Sequence, residues 1–118
     1  MADSVQMEQV LVNLILNAIQ AMRATGGGTL FVALDLDKSG ARVRIGDTGP
    51  GITPQNRRRL FDPFFTTRPD GAGRGLFSCR RIAEAHGGTI TVRSRPGRTQ
   101  FMLRLPLLLM PSALSTED

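Results

Sequence analysis

Met7, Val10, Leu11, Leu14, Ile15, Ala18, Ile19 and Met22 recur at intervals of three and four, and this stripe constrains the chain more than any other feature. It predicts one amphipathic helix from about Ser4 to Ala24, with a broad apolar face that another element must cover. Asp3 with Gln6 forms a capping pair at its start, and Gly26-Gly27-Gly28 ends it. Two strand-like runs follow, Thr29–Asp37 and Ala41–Gly46, joined across Lys38-Ser39-Gly40 as a hairpin. Arg42-Val43-Arg44-Ile45 alternates polar with apolar, so one face of that hairpin is solvated and the other is free to cover the helix.

The pattern breaks after Gly46. Asp47–Gly51 is turn chemistry, and Thr53-Pro54 opens a short helix with proline at a first helical position. From Phe61 to about Gly75 glycine, proline and threonine dominate; the stretch is too irregular for an element and too long for a plain connection, which marks a functional loop. A second helix runs from about Leu76 to Ala85 and stops at His86-Gly87-Gly88. Thr89–Ser94 and Thr99–Pro106 flank Arg95-Pro96-Gly97-Arg98, a second hairpin signal, and Leu107–Asp118 reads as a flexible tail. With 118 residues the chain has material for one core. Helices interleaved with antiparallel hairpins predict a two-layer α+β sandwich, helices on one sheet face.

Composition removes several function classes. No apolar run reaches the ~18 residues of a membrane span, and the N-terminus has no signal-peptide pattern. One cysteine, Cys79, rules out an internal disulfide framework and a cysteine-only zinc site. The net charge of +5 comes from arginines spread along the chain; Arg57-Arg58-Arg59 has no interleaved aromatics for stacking bases, so no nucleic-acid partner is expected. There is no G-x-x-x-x-G-K-[ST] phosphate loop either, and the single lysine, Lys38, lies in a turn.

Four groups of residues carry candidate chemistry. Asn13 and Asn17, four apart, share one helix face beside the apolar stripe. Each offers a neutral carbonyl oxygen to a magnesium ion already neutralised by phosphates, or is simply part of a solvated helix edge. Asp47-Thr48-Gly49-Pro50-Gly51 puts a carboxylate acceptor at a strand end, beside glycines that let backbone approach a flat base; the alternative is an ordinary turn. Phe61-Asp62-Pro63-Phe64-Phe65-Thr66-Thr67-Arg68 holds three of the six phenylalanines, either as a lid hinge carrying Arg68 toward phosphate or as a satellite core. Gly71-Ala72-Gly73-Arg74-Gly75-Leu76 opens the second helix with alternate glycines, which frees backbone N–H groups to face an anion.

In this order and spacing the motifs resemble those of one family, the ATP-binding catalytic domain of bacterial sensor histidine kinases. The resemblance runs from about Asp3 to Leu107 and implies an ATP-binding domain over residues 1–107. Gln9–Leu14 with Asn17-Ala18 looks like the family's asparagine box, Asp47–Ile52 its first glycine box, Phe61–Phe65 its phenylalanine box and Gly71–Leu76 its second glycine box. His86-Gly87-Gly88-Thr89-Ile90 resembles the turn into the next strand, and Phe61–Arg68 is most like the nitrogen-regulation and oxygen-sensing kinases.

The resemblance implies a Bergerat fold: a mixed, mostly antiparallel sheet of four to five strands with about three helices on one face. It implies transfer of the γ-phosphoryl of magnesium ATP to a histidine. Asn17 would coordinate the metal, with Asn13 supporting it or the phosphates. Asp47 would accept from the adenine amine, in a pocket shaped by Gly49, Gly51, Ile52 and Phe64. Gly71, Gly73, Arg74, Gly75 and Leu76 would form the phosphate end, with Arg68 on the lid between Asp62 and Gly73. The acceptor histidine would lie on a separate hairpin of the same protein, and a response regulator would act downstream. The domain would be cytoplasmic with a parent either soluble or on the cytoplasmic side of the inner membrane, and the parent would be a homodimer while this piece is monomeric. His86, the single histidine, reads as a helix cap rather than the acceptor.

Related ATPases of the fold resemble E-x-x-x-N in the first helix, with glutamate activating water; here Asn13 stands there, which favours phosphotransfer over hydrolysis. Against the family pattern, Ala72 and Arg74 replace threonine and leucine, and Phe77-Ser78 reverses the usual polar-then-aliphatic order. The second reading is therefore a catalytically silent nucleotide-binding or protein-binding regulatory domain of the same fold.

Overall fold

A computed structural model describes residues 4–63 and 74–106. The order is α1 (Ser4–Arg23), β1 (Leu30–Asp37), β2 (Gly40–Asp47), α2 (Pro54–Arg57), α3 (Arg74–Ala85), β3 (Thr89–Arg95) and β4 (Arg98–Pro106). Each expected hairpin forms. In the first, Asp37 Oδ1 accepts from the backbone N–H of Ser39 and Gly40, which closes a turn of Lys38 and Ser39. Thr53 caps α2 by accepting from Asn56 N–H at 3.1 Å, with Pro54 in the first turn as the sequence predicts.

The strands pair in the order β1-β2-β4-β3, and among the described residues every pairing is antiparallel. Placing the later hairpin with β4 inside requires the chain to cross over the sheet through α3. Register lines up Val32, Ile45, Phe101 and Val92 across all four strands, and Leu34, Val43, Leu103 and Ile90 beside them. Those two rows form the floor of the core. α1 contributes Val10, Leu14 and Ala18, and α3 contributes Leu76, Cys79 and Ala83, all buried against it. At about 1.5–3 kcal/mol for each large apolar side chain removed from water, this layer holds the sandwich closed.

α3 ends as Gly87-Gly88 suggested. Gly87 has φ +79°, Gly88 N–H reaches Ala83 O at 2.8 Å and Gly87 N–H reaches Glu84 O at 3.0 Å, the paired bonds of a Schellman cap. His86 donates from Nδ1 to Ile82 O at 2.8 Å, consistent with a capping residue. The reversed Phe77-Ser78 pair does not disturb this helix: Phe77 is half-buried under the Arg81 guanidinium and Ser78 faces water.

One side of the fold is left uncovered. On β1, Val32, Leu34 and Leu36 belong to the helix-facing rows yet are exposed, because α1 packs over β2 and stops short of the sheet edge. No described helix is long and apolar enough to cross a membrane.

Candidate nucleotide site

The site is organised by α1. Residues 13, 17 and 21 follow one another at one-turn spacing, about 12 Å in all. Asn13 lies at the α3 end of that line: a Cβ on Gly75 would sit 3.5 Å from its carboxamide. Its side chain also hydrogen-bonds the Cys79 thiol across the α1–α3 seam. Ala21 lies at the other end, where a Cβ on Gly49 would come within 3.3 Å of its backbone. Asn17, half-buried, stands between them.

Asp47 ends β2 and is 1% exposed, the only carboxylate among the buried polar residues described. Gly49 N–H donates to its Oδ1 at 2.9 Å. Burial raises its carboxyl above the ordinary 3.8, and the Gly49 bond pulls less strongly the other way. A buried carboxylate with one oxygen committed and the other unengaged by any described residue is a strong acceptor for an N–H group.

At Gly49 and Gly51 the loop after Asp47 leaves no room for a side chain. Gly49 packs on both Asp47 Oδ1, 2.9 Å from a notional Cβ, and α1. Gly51 has φ +89°, and a Cβ there would stand 2.5 Å from Arg95 O. Ile52 N–H donates to Ser94 Oγ at 2.7 Å, and Ser94 Oγ also pairs with Thr99 Oγ1, so the β3–β4 hairpin pins the loop after Asp47. Arg57 Nη1 adds a bond to Ser94 O. Thr48 Oγ1, which the sequence reading passed over, accepts from Thr29 N–H at 2.9 Å and ties the loop to the end of the α1–β1 connection. Its hydroxyl in a turn was the available signal.

Phe61 is anchored in the core. Its ring meets Phe101 edge-to-face at 6.3 Å and 87°, and Arg80 lies 4.9 Å over its face. Leu76 is buried at 3% and belongs to the core between the helices and the sheet. Phe64, Arg68, Gly71 and Gly73 lie outside the described residues, and Arg74 is described only as the first residue of α3. The structure thus places Asn13, Asn17, Gly49 and Gly75 along α1, with Asp47 bonded to Gly49, and seats Gly51 and Ile52 against the β3–β4 hairpin.

Among the described residues no cluster of three histidine, cysteine or acidic side chains could hold a metal alone. The donors along α1 are neutral carboxamides, which fit a magnesium ion that arrives already bound to phosphates and not a free cation.

The same fold occurs in known proteins. The chain resembles the sensory histidine kinase/phosphatase NtrB of Escherichia coli O157:H7, 38% identical over 114 residues, covering 89% of this chain and 33% of that protein. It superimposes on the catalytic domain of histidine kinase ThkA with a TM-score of 0.79 at 36% identity, covering 90% of this chain and 69% of that one. Full-length ShkA, solved in complex with AMPPNP, matches with a TM-score of 0.70 at 35% identity over 86% of this chain and 21% of its own. The chain spans between 12% and 33% of the length of the curated relatives it matches. Residues 2–109 match one family description, so the chain belongs to the histidine kinase-, DNA gyrase B-, and HSP90-like ATPase family.

Proposed function

We propose that this chain is the ATP-binding catalytic domain of a sensor histidine kinase, which positions magnesium ATP for transfer of its γ-phosphoryl to a histidine on another domain of the same protein. The observation that carries the reading is Asp47, a buried carboxylate with one free oxygen at the far end of a helix line that begins with Asn13 and Asn17. The adenine amine donates to Asp47, and the flat ring passes Gly49, where a side chain would meet Asp47 Oδ1, while Gly51 keeps the loop seated against the β3–β4 hairpin. The triphosphate then runs back along α1 toward Gly75 at the start of α3, where a helix N-terminus favours phosphate.

Asn17 holds the magnesium that travels with the nucleotide, and Asn13 braces the α3 start through its contact with Gly75. Bound magnesium supplies neutralisation of the charge on the β- and γ-phosphates. Asn13 is a carboxamide that cannot take a proton from water, and Glu8, the one carboxylate on α1, is exposed near the helix start, so this chain contributes positioning and charge and leaves the nucleophile to its partner. Arg68, the glycines 71 and 73 and Phe64 complete the phosphate end and lid in this reading. A response regulator as the next phosphoryl acceptor and a homodimeric parent, placed on the cytoplasmic side, belong to the same proposal.

Calorimetry of AMPPNP binding with and without magnesium tests the nucleotide part. Magnesium-sensitive binding is expected, and a folded chain that fails to bind at millimolar nucleotide refutes it. Phosphotransfer from labelled ATP to the parent's histidine hairpin tests the kinase part. Binding without transfer would identify a silent regulatory domain.

A further inference from the structure

The face of the sheet turned away from the helices carries a charge distribution that the nucleotide site does not use. Alternation along the strands sends Thr99 and Phe101 into the core and Arg98 and Gln100 outward. On β3 it sends Ile90 and Val92 inward and Arg93 and Arg95 outward. Register pairs Arg93 with Gln100 and Arg95 with Arg98, so three arginine side chains and one glutamine leave the outer face from four positions that form a square. Together with the backbone of Ser94 they line an open depression of about 380 Å³.

Among the described residues these three arginines have no ion-pair partner. Among the described residues, the outer-face carboxylates Asp35 and Asp37 are already engaged by Arg44 and Arg42, and Glu84 pairs with Arg80. Arg95 and Arg98 stand directly across an antiparallel pair, a placement that repels unless something neutralises it. Arg98 is also held in place. Gly46, in the row between Phe31 and Gln100, has no side chain, and Arg98 reaches across to lie 4.6 Å over the Phe31 ring. Arg98, held toward β1, and Arg93 and Arg95 on β3 flank the depression from two sides, and with the Gln100 amide as a neutral donor they can meet tetrahedral phosphoryl oxygens from several directions.

We propose that this depression binds a small oligophosphate, an anion with at least two phosphoryl groups. Three positive charges exceed what one carboxylate balances, and the volume falls within the range of small-ligand pockets. The site lies behind the nucleotide cleft: Asp47 pairs with Thr99 on the inner face, while Arg98 and Gln100 flank Thr99 on the outer face. It is therefore a second anion site on the same sheet.

Titration of the 118-residue chain with sodium pyrophosphate at low salt, followed by nitrogen-15 NMR, tests the proposal. Saturable shifts are expected at the Nε–H of Arg93, Arg95 and Arg98 and at the Gln100 amide, with half-saturation below about 1 mM. Arg93→Gln and Arg95→Gln should each weaken this binding about three- to tenfold, and added salt should weaken it further. Pyrophosphate should also raise the melting temperature of the wild type and leave Arg95→Gln less affected. Shifts confined to Asn17 and Gly75 would overturn the proposal, because the cleft alone would then take the anion. Equal shifts with acetate at the same concentration would overturn it too. Tighter saturation by hexaglutamate would reassign the square to acidic peptide and remove the oligophosphate.

Discussion

Replacing Asp47 by asparagine separates what this residue does for the fold from what it does for a ligand. Asparagine is nearly isosteric, and its Oδ1 can keep the 2.9 Å bond from Gly49 N–H. The other oxygen becomes an NH2 group, so the proposed adenine amine meets a donor where it met an anionic acceptor. A hydrogen bond to a charged group is worth about 1.5–3 kcal/mol, which corresponds to roughly 10- to 150-fold weaker AMPPNP binding. The unliganded fold responds in the opposite direction. Because burial raises the Asp47 carboxyl above 3.8, the folded chain keeps its proton at pH values where the unfolded chain has released it. Stability from this group is thus fully present below about pH 4 and is lost as pH rises through the folded value. At neutral pH the wild type carries the full penalty of a buried carboxylate and Asp47→Asn does not. Urea unfolding at about pH 4 and pH 7 should show the variant more stable at neutral pH, with the gap closing in acid, while calorimetry shows nucleotide binding falling. Unchanged AMPPNP affinity would refute Asp47 as the base reader, and a variant less stable than wild type at pH 7 would refute the desolvation argument.

Three further outcomes follow from the same geometry. Asn17→Ala should bind AMPPNP with an affinity that no longer rises with magnesium, a loss of about tenfold or more at saturating metal, and magnesium alone should give no binding heat with either chain. Gly51→Ala forces a side chain into φ +89° and within 2.5 Å of Arg95 O, so urea unfolding should show a loss of about 2 kcal/mol or more, of which the left-handed backbone accounts for ~1–2. Cys79 is fully buried and its thiol is pushed up to about 11 by burial. It should resist aromatic disulfide reagents until the chain unfolds, and stability should decline as pH rises from the ordinary 9.0 toward 11, since the fold disfavours the thiolate.

The nearest-neighbour physics of the chain was legible without coordinates. The apolar stripe from Met7 to Met22 becomes α1, which ends at Arg23, one residue short of the expected boundary. Strand limits agree within a residue or so, because Lys38-Ser39 and Pro96-Gly97 can only turn and the flanking residues alternate. α3 starts at Arg74, two residues earlier than its apolar periodicity suggests, since the first turn of a helix needs no buried face. Asn13, Asn17, Asp47 and the glycines were recognisable as a set because each carries local chemistry in a fixed order.

What the sequence determined by itself is local: where helices, strands and turns form, and which residue types offer acceptors, bare backbone or neutral ligands. Only the tertiary structure decided the sheet order β1-β2-β4-β3, which depends on how α3 crosses the sheet and not on any single segment. Only it buried Asp47 to 1% between β2 and α1, turning a common turn carboxylate into one with a raised affinity for its proton. It also placed Arg93, Arg95 and Arg98 together on the outer face while leaving Leu34 and Leu36 uncovered at the edge. Burial and electrostatic environment are sums over residues distant in sequence, and no local pattern contains them.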